Sequence, residues 1–167
     1  GSTLVPYPTL LRSRCSGLYI NRMPIPVPID EPNVKVDEKL ISKWIKTSDL
    51  SAENPGFYEI NKHDKFLYKI TDNSYNSMDS TYSQDMYISH ITDLEGTLFM
   101  NMQKDGTGDY YLHRVVLEGK ELTFIEVTEN IDEKFNTSEE LKAFIAKYMH
   151  LSFLYQGRGT VHQTIRK

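Results

Sequence analysis

The sequence has almost no cysteine, since Cys15 is the only one among 167 residues. One thiol cannot form an internal disulfide, and cysteine-based metal sites need several. Acylation of Cys15 would attach the chain to a membrane, but Arg12 and Arg14 stand where small residues normally precede a lipid-modified cysteine. An unpaired thiol is therefore the favoured interpretation, and a lipid anchor is the second.

Long apolar runs and basic runs are missing as well. No stretch approaches the ~20 apolar residues that span a bilayer, which excludes a transmembrane helix. The formal net charge is −4 and the isoelectric point is about 5.7. Because nucleic acids are bound by basic surfaces, this balance argues against a nucleic-acid partner.

Recognisable catalytic, cofactor and metal motifs are also lacking. The five histidines show neither H-x-H nor H-E-x-x-H spacing, so we predict no catalytic residue, no cofactor and no metal. His90 and His113 lie in predicted strands and could face a cavity, where an imidazole can carry a proton. A structural role is the commoner one for such a histidine.

The chain is instead rich in short apolar–polar alternations separated by turn residues, a pattern typical of antiparallel strands. We predict about eight strands, a number that closes into a barrel. A Ser-, Asn- and Tyr-rich stretch, residues 73–85, is predicted to be a long loop. The predicted strands cover residues 40–46, 57–61, 66–70, 86–91, 96–103, 110–117, 121–128 and 152–156.

One helix is predicted near residues 137–149, before the last predicted strand. Leu141, Ile145 and Tyr148 recur at helical spacing, and Thr137 with Glu140 forms a capping box at the start. The fold class is therefore mostly β, an antiparallel up-and-down barrel with one late helix.

The first 36 residues differ from the rest because prolines alternate with apolar residues from Pro24 to Pro28. Alternating proline favours an extended polyproline II conformation. We divide the chain into an N-terminal arm or tether, residues 1–36, and a barrel domain, residues 37–167. Ile25, Val27 and Ile29 could equally place the arm on the barrel surface.

Ser42-Lys43-Trp44 on the first strand, followed by up-and-down strands and a late helix, resembles the lipocalin-like, or calycin-type, barrels. Their first strand carries Gly-x-Trp, and an arginine of the last strand usually covers the Trp; here Ser42 replaces the glycine and Arg158 is the candidate arginine. The helix stands before the last strand rather than after the barrel. The chain is also similar to small secreted or lipid-anchored barrel proteins of Gram-negative bacteria. That similarity favours the cell envelope or periplasm over the cytoplasm.

The resemblance implies a module that binds a small hydrophobic or amphipathic ligand inside the barrel. The alternative is a cell-envelope interaction protein with a filled core, which would bind a protein partner through the 73–85 loop or the Pro-rich arm; an enzyme ranks third. By strand alternation, the predicted ligand-binding residues are Phe57, Phe66, Tyr68, Ile88, Phe99, Leu112 and Phe124.

Overall fold

Eight antiparallel strands form a closed barrel in which each strand pairs with the next and the last pairs with the first. This computed structural model describes residues 25–127, 131 and 133–165. Within them, the single α-helix, α1, precedes the last strand, so the predicted fold class is confirmed. The elements are β1 Ser42–Lys46, β2 Phe57–Lys62, β3 Tyr68–Asn76, β4 Thr81–Leu94, β5 Thr97–Lys104, β6 Tyr110–Glu118, β7 Glu121–Glu126, α1 Ser138–Tyr148 and β8 Thr160–Thr164.

One face of the strands fills the barrel interior. Because a single cluster of buried side chains draws members from β1 through β7, that cluster must occupy the lumen. Alternation along each strand then sends the intervening residues to the outer face. The inner cluster consists of Leu40, Trp44, Tyr58, Ile60, Tyr68, Ile70, Tyr87, Ile91, Met100, Met102, Val115, Leu122 and Phe124.

A second core lies outside the barrel wall, under α1. Leu141 and Ile145 of the helix are fully buried against outward residues of the strands, among them Phe99 and Leu112. The predicted cap is present, since the Glu140 main-chain N–H donates to the Thr137 hydroxyl at 3.2 Å. Wall strands that are covered on both sides show a continuous run of buried residues, as in the centre of β5.

The described part of the N-terminal arm is docked on this outer face. Ile29 has an exposure of 0 % in the second core, and its N–H donates to Asn101 Oδ1 at 2.8 Å. Asp30 accepts hydrogen bonds from Thr92 and, through its carbonyl, at 2.7 Å from His90 Nε2. Residues 25–36 therefore lie along the barrel, whereas the proposed division at residues 36 and 37 stays a prediction. Cys15 and its possible acylation lie outside the described residues.

One end of the barrel is closed by the segment that enters β1. Leu40 belongs to the inner cluster, and its carbonyl accepts a hydrogen bond from Trp44 Nε1 at 2.9 Å. The Asp37 N–H donates to the Tyr68 hydroxyl at 2.7 Å. Trp44 is therefore a buried anchor of the closed end.

Two predicted elements are wrong. Most of the predicted 73–85 loop is paired, because β3 continues to Asn76 and β4 begins at Thr81, leaving a turn of residues 77–80. The rings of Tyr75 and Tyr82, which are directly opposite, lie 5.1 Å apart. A composition that reads as a loop thus forms a hairpin through cross-strand aromatic pairing.

The other error concerns the last strand. The predicted strand at residues 152–156 contains the 3₁₀-helix Ser152–Leu154, and the strand that closes the barrel is Thr160–Thr164. Leu154 is fully buried in the second core. The apolar residues around Leu154 in the sequence, which suggested a strand, therefore reflect the packing of Leu154 under α1.

Candidate functional site

A depression of about 320 Å³ lies at the end of the barrel opposite Trp44. Three parts of the chain meet there: the start of β6, the end of β7 and the loop before β8. Antiparallel strand order brings them to the same end of the barrel. We call this depression the mouth site. It is lined by His113, Phe124, Glu126, Gln156, Gly157, Arg158, Gly159 and Thr160.

Strand register sets the positions of these side chains. His113 of β6 is directly opposite Glu126 of β7, and Phe124 is directly opposite Thr160 of β8. Opposite residues of an antiparallel pair point to the same face, so all four side chains reach the inner face at the open end.

The loop before β8 reaches the barrel wall only because residue 159 is glycine. Gly159 has φ +84°, and a Cβ there would lie 2.7 Å from both the Phe124 carbonyl oxygen and Ile125 Cγ1. Any other side chain would push the loop off β7. This close approach holds Arg158 and Thr160 beside the end of the barrel.

The floor of the mouth site is aromatic and separates it from the filled lumen. The rings of His113 and Phe124 meet edge to face with centroids 5.8 Å apart. Beneath them lies a void of about 10 Å³, which is room for about one water. The void is lined by Tyr58, Ile70, Met102, His113 and Phe124.

Three polar side chains of the mouth site are available to a ligand. Gln156, Arg158 and Thr160 have no side-chain hydrogen bond or ion pair with any residue that the structure describes. The main-chain N–H of Gln156 donates to the Glu126 carbonyl at 2.9 Å, which fixes the loop. The site therefore combines guanidinium, amide and hydroxyl donors with a carboxylate and an aromatic floor.

The seven predicted ligand-binding residues do not lie on one face. Tyr68 and Phe124 belong to the inner cluster, whereas Phe99 and Leu112 belong to the core under α1. Only Phe124 lines the mouth site. Whether any of the seven contacts a ligand stays a prediction.

The other three predicted residues lie on or near the outer surface and are partly buried. Phe57 precedes Tyr58, and Ile88 follows Tyr87. Because both tyrosines belong to the inner cluster, alternation along the strand turns Phe57 and Ile88 outward. Phe66 lies before β3, with the Lys65 ammonium 5.0 Å from its ring centroid. A register error of one residue accounts for such a split, because it reverses every side chain of a strand.

The two histidines predicted to face a cavity point to opposite sides of the wall. His113 lines the mouth site and the void beneath it, while His90 is buried on the outer face against Asp30. Burial lowers the pKa of His90, and the Asp30 carbonyl opposes that shift.

His162 is a third buried histidine, which sequence reasoning missed. It lies inside the barrel, with its ring 5.4 Å from Tyr58 and 5.6 Å from Phe124. Burial lowers its pKa to about 4, although the Leu122 and Thr160 main chains partly offset the effect. The alternation in residues 160–164 was the available signal, but the glycines before it obscured the strand.

The fold and the mouth site define a small closed antiparallel β-barrel with a filled lumen and a polar depression at one end. This architecture is compatible with a lipocalin-like fold. Arg158, however, precedes β8 at the open end, whereas Trp44 pairs with Thr164 near the closed end. The structure therefore does not bring Arg158 to Trp44, and Arg158 lines the mouth site instead.

Searches of protein-family models, curated proteins and solved structures each find no match to this chain. Among the described residues, no helix is long and apolar enough to cross a membrane. The same residues contain no group of three or more His, Cys, Asp or Glu side chains that could hold a metal ion.

Proposed function

We propose that the protein is a binding module that holds a small amphipathic molecule at the mouth of its barrel. The observation that carries the proposal is the depression of about 320 Å³, in which Gln156, Arg158 and Thr160 lack partners among the described residues. Small-molecule sites are typically concave, with an apolar wall and a few polar groups that orient the ligand. Phe124 and His113 supply that wall.

The ligand sits at the mouth rather than deep in the lumen because the lumen is filled. Large buried side chains, among them Tyr68 and Met100, belong to the cluster that fills the barrel, and the void beneath Phe124 is about 10 Å³. Opening a larger space would require removing packed side chains, at a cost of several kcal/mol. The filled lumen therefore moves the proposed ligand site from the barrel interior, where the sequence placed it, to the depression at the mouth.

Amide chemical-shift mapping with a library of small amphipathic molecules tests the proposal. We expect shifts in residues 124–126 and 156–160 and little change around Tyr68 and Met100. Thr160→Arg should abolish the shifts by filling the site, and the matched change Thr107→Arg on an exposed turn should leave them. Shifts that map elsewhere, or that survive Thr160→Arg, would refute the mouth site.

A second candidate function is docking to a protein partner through the same end of the barrel. Of seven exposed large apolar side chains in the described chain, six lie on segments at this end and only Ile165 lies at the other. The connections 47–56, 77–80 and 105–109 carry five acidic residues and no Lys or Arg. We propose a partner that presents basic groups around apolar ones.

A photo-crosslinking residue at Met78, which is 93 % exposed at the hairpin tip, tests this second candidate. The same residue at position 165 is the control. We expect one partner that is captured only from position 78 and that is lost on Asp79→Asn with Asp105→Asn. Equal capture from both positions, or capture that is indifferent to these carboxylates, would contradict docking at the mouth end.

A further inference from the structure

The loop before β8 concentrates hydrogen-bond donors at the mouth site. Gln156, Arg158 and Thr160 line the depression with an amide, a guanidinium and a hydroxyl. None of these three side chains has a hydrogen bond or an ion pair with a residue that the structure describes. The guanidinium alone offers five N–H donors in a planar fork and no acceptor. The loop therefore presents several donors that an acceptor group of a ligand can use.

The main chain of the same loop adds further donors. Gly157 and Gly159 line the depression and have no side chain, so their main-chain atoms form that part of the lining. Both have positive φ, +65° and +84°, and neither N–H donates to another main-chain group of the described chain. Neighbouring main-chain N–H groups in turns form concave anion-binding sites. Side chains and main chain thus both favour an anionic group here.

The acidic groups at this end of the barrel limit the charge of that ligand. Glu126 also lines the depression, but it already interacts with a partner within the protein and requires no group from a ligand. One guanidinium matches one negative charge, and nearby carboxylates repel any further negative charge. A single negative charge on the ligand therefore fits the site better than two. The acidic residues of the turns at this end are Asp49, Glu53, Asp79, Asp105 and Asp109.

From this arrangement we infer that the mouth site binds a small monocarboxylate with an aromatic or apolar body. The carboxylate contacts Arg158, whose fork matches its two oxygens, and Thr160 and the loop N–H groups are further donors. The body lies on Phe124, whose ring meets that of His113 edge to face. A depression of about 320 Å³ is at the small end of ligand sites. This inference rests on the proposed mouth site and adds the chemical class of the ligand.

Three probes that share one aromatic ring and one chain length isolate the contribution of the charge. The anion is 3-phenylpropionate, its neutral counterpart is 3-phenylpropionamide, and the cation is 3-phenylpropylamine. Calorimetric or NMR titration of the full chain near pH 7 should give the lowest Kd for 3-phenylpropionate. The amide should bind about tenfold more weakly because it loses the charge-assisted hydrogen bonds. The amine should bind more weakly still, because Arg158 repels it.

A fourth probe tests the limit to a single charge. The phosphate group of 2-phenylethyl phosphate carries more than one negative charge near pH 7. Because the acidic turns repel the additional charge, we expect a higher Kd for this phosphate than for 3-phenylpropionate. A lower Kd for the phosphate would overturn the assignment of the ligand as a monocarboxylate.

Variants of Arg158 assign the preference for the anion to its contact. Arg158→Gln should reduce the preference for 3-phenylpropionate over its amide to less than about twofold. Arg158→Lys, which keeps the charge and loses the planar fork, should give an intermediate preference. Lys120→Gln is the matched control, because it removes an exposed cation from the turn before β7, at the opposite end of the barrel, and it should leave the preference unchanged. Unchanged thermal unfolding would show that the variants remain folded, and a full preference in Arg158→Gln would overturn the inference.

The outcomes distinguish the inference from the proposed function. If the amide or the amine binds at residues 124–126 and 156–160 as tightly as 3-phenylpropionate, the carboxylate inference is wrong and the mouth site stands. The same holds if all four probes fail while other amphipathic molecules map to the mouth. If no molecule of any charge perturbs the mouth, both proposals fail.

Discussion

Replacing Ile29 by alanine tests whether the N-terminal arm is part of the folded core. Ile29 is completely buried between the barrel wall and α1. Removing three carbon atoms from such a position costs about 3 kcal/mol, the sum of lost transfer free energy and the cavity left behind. A domain of this size changes its Tm by roughly 2–4 °C per kcal/mol, so we expect Tm to fall by about 6–12 °C.

Ile165→Ala is the matched control, because it removes the same atoms from a side chain that is 48 % exposed. It should change the free energy of unfolding by less than about 0.5 kcal/mol. Thermal and urea unfolding, both followed by the fluorescence of the single Trp44, measure Tm and the free energy of unfolding of the two variants under identical conditions. A Tm for Ile29→Ala no lower than that of Ile165→Ala would refute a docked arm and restore the tether interpretation.

Three further predictions concern the barrel and the helix. The folded protein holds His162 neutral to about pH 4, whereas the unfolded chain protonates near pH 6.5. As pH falls between these values, the unfolded state binds the additional proton, so the free energy of unfolding should decrease by about 3 kcal/mol. His162→Phe should flatten this pH dependence when it is measured by urea unfolding. An unchanged pH dependence in the variant would contradict a buried, neutral His162. Gly159→Ala should destabilise the protein by about 1–3 kcal/mol, because the new Cβ strains the backbone and clashes with β7. Gly108→Ala is the control, because a Cβ at that position meets open space. Equal Tm values for the two variants would show that the loop does not approach β7 this closely. Thr137→Ala should cost about 1 kcal/mol because the α1 cap is lost, and a loss below 0.2 kcal/mol in the same assay would mean that the cap contributes nothing.

The binding predictions and the stability predictions are independent of one another. Arg158 is exposed and makes no contact that holds the described fold together, so its replacement should change affinity without changing Tm. Ile29 is not among the residues that line the mouth site, so its replacement should change Tm first. A variant that altered both quantities would indicate coupling between the arm and the mouth.

The strand order and the helix could be predicted because they depend on local patterns. Alternating residues in β5 and β6 and the turn at Gly119, with φ +61°, specify antiparallel neighbours at short range. The helix was predictable because its periodicity and its cap lie within a dozen residues of Thr137. Eight such strands close on themselves, so the barrel followed from their number.

The hairpin at 73–85 could not be predicted because its stability is not local. Tyr75 contacts Tyr82, and Tyr82 in turn donates a hydrogen bond to the Pro55 carbonyl at 3.2 Å from a different connection. A single strand of this composition has no strong preference for extended structure. The pairing of β3 with β4 therefore decides that these residues are extended.

The sequence by itself determined a mostly β chain with eight short strands, one capped helix and no recognisable catalytic or metal motif. Tertiary structure decided which face of each strand turns inward, because one residue of register reverses the face and only the closure of β1 on β8 fixes it. It likewise decided that His113 and His162 lie inside the barrel while His90 holds the arm outside. The mouth site exists only in three dimensions, because residues 113, 124–126 and 156–160 meet through strand pairing and not through any pattern along the chain.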